Sequence, residues 1–208
     1  MEEFDIFMKR LIRGAKNMFF RTVIKSSSGY DIIKLEGDYL KAAKIIKNTI
    51  EKSFLSINMS VKKNCRGRTN ELSNYLEGVL KNVINHKIKG FEATIPKAGN
   101  KKRSAGYPDL LIKFDHDKFI YVEVKIYQKK TLNSSLRTFY FKPSEQDKIM
   151  RSCPHILIGF EVESLGEDNR SPFNVNSFKI IDLYDLKVTL KPEFNASNPM
   201  IYKYCKEV

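Results

Sequence analysis

Two stretches of strand-type residues, Asp109 to Phe114 and Phe119 to Tyr127, lie close together in the chain and alternate in character along their length. They read as the two arms of a β-hairpin. In the second arm Ile120, Val122, Val124 and Ile126 share one face, and Phe119, Tyr121, Glu123, Lys125 and Tyr127 share the other. Burying the apolar face dictates how the strand must lie, and an acid and a lysine then leave the opposite face together. Directly opposed residues of a hairpin share a face, so the turn decides whether Asp109, of Pro108-Asp109, joins Glu123 and Lys125. A two-residue loop at His116-Asp117 sets Asp109 against Val124, on the wrong side. A three-residue loop or a bulge sets odd positions against odd, and this is the arrangement expected here.

With that register two carboxylates and an ammonium group meet. Asp109 and Glu123 can hold a hard divalent cation between carboxylate oxygens, with water and a phosphate oxygen completing its shell. Such a cation lowers the pKa of a bound water and stabilises charge in a phosphoryl transition state. Lys125 suits steadying the attacking hydroxide and neutralising the scissile phosphate. The expected chemistry is phosphodiester hydrolysis leaving a 5′-phosphate. The plainer alternative is a solvated Glu123–Lys125 ion pair on a sheet surface, and so short a pattern also arises by chance. Its setting favours chemistry: acid and lysine interrupt an otherwise apolar strand, and a basic loop, Lys97 to Gly106, immediately precedes the hairpin.

The surrounding pattern predicts an α/β sandwich around a mixed sheet. Phe4, Phe7, Leu11, Ala15 and Met18 recur at helical spacing over the first twenty residues, and Ser26-Ser27-Ser28-Gly29 breaks that helix. Asp38 can cap a second helix whose Leu40, Ala43, Ile46, Ile50 and Phe54 face inward. Lys62 to Arg68 reads as a basic loop, after which Thr69 or Asn70 can cap a third helix carrying Leu72, Tyr75, Leu76, Val79, Leu80 and Val83. Phe91 to Ile95 is a short strand. Beyond the hairpin come a helix from near Ser144, a largely apolar strand from His155 to Val162, and one or two strands within Ser177 to Leu190. Residues 1–60 thus form a helical addition to a core over residues 61–208.

Composition narrows the partners. Lys and Arg number 37 against 24 Asp and Glu, a net charge of +13 that concentrates polyanions, nucleic acid above all. The basic residues are not gathered on one amphipathic helix, which disfavours a membrane surface. Cys65, Cys153 and Cys205 are odd in number and widely spaced, as suits a reducing, cytoplasmic setting. With His86, His116 and His155 they make no zinc pattern. No segment reads as a secretory leader or a membrane span.

Gly106-Tyr107-Pro108-Asp109-Leu110-Leu111-Ile112 and Tyr121-Val122-Glu123-Val124-Lys125 resemble the PD-(D/E)XK nuclease superfamily, over roughly Arg66 to Phe160. The resemblance implies a restriction-endonuclease-like core, a mixed central sheet flanked by helices. It implies that Asp109 and Glu123 bind magnesium, with manganese able to substitute, that the Val124 carbonyl serves as a further ligand, and that Lys125 assists attack. Such nucleases commonly add a glutamate from the preceding helix. Gly67-Arg68-Thr69-Asn70-Glu71 matches the start of that helix and favours Glu71. Glu77 is its rival: the two lie on opposite edges of the apolar stripe, so periodicity does not choose between them. Gln146 is similar to an accessory glutamine or lysine that some members carry on the helix after the catalytic strand.

Two basic clusters are candidates for phosphate contact: Lys62, Lys63, Arg66 and Arg68 before the third helix, and Lys97, Lys101, Lys102 and Arg103 before the hairpin. Lys129, Lys130 and Arg137, with Asn133, Ser134, Ser135 and Tyr140, follow the catalytic strand and can approach a groove. For any single lysine the ordinary role is solvation; grouping around the site favours binding. Size, helical addition and basic loops most resemble a type II restriction endonuclease acting on double-stranded DNA. The resemblance implies a homodimer and a cognate DNA methyltransferase. A structure-selective nuclease such as a Holliday junction resolvase is the alternative, and a nucleic-acid-binding module with a vestigial metal site is a third reading, which the intact acid–acid–lysine set argues against.

Overall fold

The computed structural model of the chain describes residues 2–66, 69–97, 106–134, 139–143, 148–166, 172–191 and 200. The chain forms two compact units. One takes in the residues before Phe20 and after Leu186, the other runs from Phe20 to Leu186. The smaller contains helix α1 (Glu2–Arg13) and a two-stranded antiparallel pair of β1 (Met18–Phe19) with β7 (Lys187–Val188). The single helix expected over the first twenty residues is therefore interrupted. Gly14 and Asn17 both adopt positive φ (64° and 58°), which no helix accommodates.

The larger unit begins with α2 (Phe20–Ser28), which stops where Gly29 turns left-handed at φ 81°. Helix α3 (Gly37–Asn64) follows, then α4 (Thr69–Lys87). The sheet comprises β2 (Phe91–Thr94), β3 (Leu110–Phe114), β4 (Lys118–Tyr127), β5 (His155–Ser164) and β6 (Phe173–Asp182), in that spatial order. It is mixed: β4 and β5 run parallel and the other neighbours antiparallel. The parallel step requires a crossover, supplied by residues 128–154.

Helices α3 and α4 cover one face. Ile46, Ile50, Ser53, Ile57 and Val61 of α3 and Leu72, Leu76, Leu80 and Ile84 of α4 recur every three or four residues. They bury against Leu110, Ile112, Ile120, Val122, Val124, Ile156, Ile158 and Phe160. The opposite face is closed at one end by an aromatic group. Phe20 meets Tyr107, Phe139 and Phe141 edge-on at 5.0–5.5 Å between ring centroids. Tyr107 also hydrogen-bonds Nδ1 of His155 at 2.6 Å. Burial drives the His155 pKa down to about 3, so the imidazole is neutral at physiological pH.

Several expectations shift for physical reasons. The division expected after residue 60 falls inside α3, whose apolar stripe runs unbroken to Val61. Lys62 and Lys63 are accordingly exposed on the last turn of α3 and not in a loop, where their charge complements the helix C-terminus. Leu40 lies off the stripe and is 39% exposed; Tyr39 turns inward instead, edge-on to Phe114. Glu36 occupies the N-cap position, and Asp38 serves in the first turn, paired with Lys41 and Lys118. These two lysines hold its carboxyl down at about 2. The helix expected from Ser144, and with it Gln146, lies outside the described residues.

Candidate active site

The hairpin turn sets the site. β3 and β4 pair Phe114 with Lys118 and Leu110 with Val122, leaving Asp115, His116 and Asp117 as a three-residue loop. Asp115 takes φ 57°, in the left-handed region, and its Oδ1 accepts from the His116 amide at 2.9 Å. Lys118 ties the turn to α3 through Asp38 at 2.7 Å. Odd positions thus oppose odd, as the parity of the strand requires. Continued one step past Leu110, the register brings Asp109 opposite Glu123.

Hydrogen bonds hold Asp109 there. Its amide donates to the Val122 carbonyl at 3.1 Å, and its Oδ2 accepts from the Val124 amide at 2.8 Å. The carboxylate is therefore fastened to the strand segment that carries Glu123 and Lys125. Glu123 is 2% exposed, which excludes the solvated surface pair. Its Oε1 accepts from Lys125 Nζ, while its Oε2 is buried and has no hydrogen-bond partner. An orphaned buried carboxylate oxygen is costly to leave unpaired. Burial, and then the nearby Asp109 charge, push the Glu123 pKa up to about 7 against the pull of Lys125.

Helix α4 brings a third acid, Glu77, within electrostatic reach of Asp109 and Lys125. Glu77 is half-buried and feels the charges of Asp109, Lys125 and Lys148, whereas Glu71 is exposed on the first turn. Burial and the Asp109 charge raise the Glu77 carboxyl to about 7. Leu72, Leu76 and Leu80 point into the core, and the edge of the stripe on the Glu77 side is the one turned toward Asp109. Sequence reasoning gave Lys148 no separate role, yet it is 5% exposed and donates to the carbonyls of Gly106 and, at 2.9 Å, Pro108. Nothing local marks it, because its burial depends on a turn forty residues earlier.

The basic candidates divide. Lys97, Lys129 and Lys130 are exposed, as are Asn133, Ser134 and Tyr140. Arg66 folds back on α3, its guanidinium donating to the carbonyls of Lys62 and Cys65, so part of its charge caps the helix. Arg68, Lys101, Lys102, Arg103, Ser135 and Arg137 lie outside the described residues. Cys65 and Cys153 are free and buried, and burial lifts the Cys153 thiol to about 12, leaving it inert. Among the described residues no helix is long and apolar enough to cross a membrane.

The donor set fits a hard divalent cation. Two carboxylates converge, one with an unsatisfied oxygen, and burial and the Asp109 charge make Glu123 and Glu77 hold their protons more tightly. Among the described residues no three His, Cys, Asp or Glu side chains make a ready-built metal cage. Magnesium needs none, since it takes one or two carboxylates and completes its shell with water and phosphate.

Comparison with known proteins gives the family. Residues 13–206 match the type II restriction enzyme MjaV family. The type II restriction enzyme MjaV of Methanocaldococcus jannaschii is 32% identical in an alignment covering 97% of this chain and 92% of its own length. A match over nearly the whole chain, on a mixed sheet whose central hairpin presents Asp109, Glu123 and Lys125, makes this chain a member of the MjaV family of type II restriction enzymes.

Proposed function

We propose that the chain is a divalent-metal-dependent endonuclease that cuts double-stranded DNA at a short specific site and leaves 5′-phosphates. The observation that carries this reading is the buried Glu123 carboxylate, with one oxygen on Lys125 and the other unpartnered, beside an Asp109 fastened to the Val124 amide. Asp109, Glu123 and the Val124 carbonyl would hold magnesium, or manganese in its place. When bound, the ion supplies a more acidic water and offsets charge at the phosphate. Lys125 faces the scissile phosphate from the same strand face, where its ammonium stabilises charge that grows as the new P–O bond forms. Glu77, whose carboxyl is raised to about 7 by burial and the Asp109 charge, exchanges its proton near neutrality and is proposed to carry one at the edge of the site. Lys62, Lys63, Lys97, Lys129 and Lys130 are proposed to contact phosphates, with Arg68, Lys101, Lys102 and Arg103 as further candidates. A homodimer, presenting two such centres to the two strands, and a protecting DNA methyltransferase complete the reading.

Mapping and religating the ends of digested DNA tests this directly. Cuts at one short sequence, with ends that ligate without prior phosphorylation, are the expected result. Random cuts, or ends that need phosphorylation, contradict it. The same assay ranks the glutamates. Glu77→Gln is expected to slow single-turnover cleavage by about 10- to 100-fold, and Glu71→Gln by less than about threefold. A reversed order returns the role to Glu71.

A further inference from the structure

We propose that Lys148 is a positioning residue, whose ammonium clamps the turn at Gly106–Pro108 and so sets where the Asp109 carboxylate stands relative to Glu123. This rests on the nuclease reading of the site and deepens it. Lys148 is the only Lys or Arg among the described residues with so little exposure, 5%. Burying an ammonium group is expensive, and the fold must return something for it. What it receives is two backbone carbonyls, those of Gly106 and Pro108, on either side of Tyr107, together with the charge of Glu77. Those carbonyls belong to the turn that delivers Asp109.

The contacts form a closed circuit. Tyr121 stands on β4, on the same face as Glu123 and two residues before it. Its hydroxyl donates to the Lys148 carbonyl at 3.2 Å and accepts from the Met150 amide at 3.0 Å. Lys148 Nζ then reaches the turn, and Asp109 returns to β4 through Val122 and Val124. The circuit therefore starts and ends on the catalytic strand. Severing the ammonium link frees the turn at one end only, and Asp109 then samples positions away from Glu123. A displacement near 1 Å is enough to cost about two orders of magnitude in rate. The buried stem of Lys148 keeps its packing if only the charge is removed.

Lys148→Met makes that cut, and Tyr121→Phe loosens the same circuit without removing a charge. Manganese binding to the full-length protein without DNA, followed by electron paramagnetic resonance, reads the position of Asp109 independently of turnover. Lys148→Met is expected to bind manganese at least about tenfold more weakly, and Tyr121→Phe about threefold. The concentration needed for half-maximal cleavage should rise in step, with DNA affinity in EDTA unchanged within about threefold. A residue that merely stabilised the fold would lower the melting temperature and leave metal affinity alone. A folded Lys148→Met protein with wild-type manganese affinity overturns the proposal. If Lys148→Met does not fold, wild-type affinity in Tyr121→Phe overturns it. A wild-type protein that neither binds manganese nor cuts overturns the nuclease reading as well, whereas wild-type binding and cutting with indifferent variants overturns this inference alone.

Discussion

Lys125→Ala is expected to cut DNA about 10²- to 10³-fold more slowly than the wild type at saturating magnesium, under single-turnover conditions, while binding DNA in calcium with affinity changed less than about threefold. The separation follows from where the ammonium sits. Lys125 is one of 37 Lys and Arg residues, so its share of phosphate neutralisation is small. It is the cation that shares a strand face with Glu123 and donates to it, and the proposed mechanism puts the reacting phosphate beside that charge. Removing a charged donor from such a position typically costs about 3–4 kcal/mol of transition-state stabilisation. Lys125→Arg should not rescue it, because a planar guanidinium does not place its charge as a compact ammonium does. A correctly folded Lys125→Ala protein with cleavage within tenfold of wild type would remove Lys125 from the reaction.

Glu123→Gln is expected to abolish cleavage and to make the metal-free protein more stable at pH 8. Glu123 has its folded-state pKa raised from 4.5 to about 7, so the native state holds that proton more tightly than the unfolded chain does. Stability therefore falls as pH rises between those two values, and the whole penalty is present above 7. A displacement of that size corresponds to about 3 kcal/mol. Glutamine carries no charge to desolvate, and its amide can donate to Asp109. For a chain of this length the gain is on the order of 5 °C in melting temperature in EDTA at pH 8. It should vanish well below pH 4.5, at about pH 3, where the glutamate is protonated in both states. Thermal unfolding of both proteins at the two pH values checks this. A Glu123→Gln protein less stable than wild type at pH 8 would mean the carboxylate is satisfied in a way the geometry does not contain.

What the sequence made legible follows from periodicity. Alternation in Phe119–Tyr127 gives the strand and its faces, and the parity of Asp109 and Glu123 demands the three-residue turn that Asp115–Asp117 supplies. The apolar run from His155 gives a strand buried on both faces. Legibility ends where a decision is made by distant packing. Glu71 and Glu77 border the same apolar stripe, and only the placement of α4 against the hairpin brings Glu77 toward Asp109. Lys148 looks like any other lysine until the Gly106–Pro108 turn folds over it. At the N-terminus helical spacing of apolar residues continues straight through Gly14 to Met18, so the break at Gly14–Asn17 is invisible to a period count.

The central claim is that Asp109, Glu123 and Lys125 together break DNA with a divalent cation. The most direct measurement digests one DNA of known sequence with wild type and Asp109→Asn, each with magnesium and with EDTA. Discrete fragments from the wild type with magnesium, and intact DNA in the other three reactions, are the predicted result. The same fragments from wild type in EDTA, or from Asp109→Asn with magnesium, would contradict it.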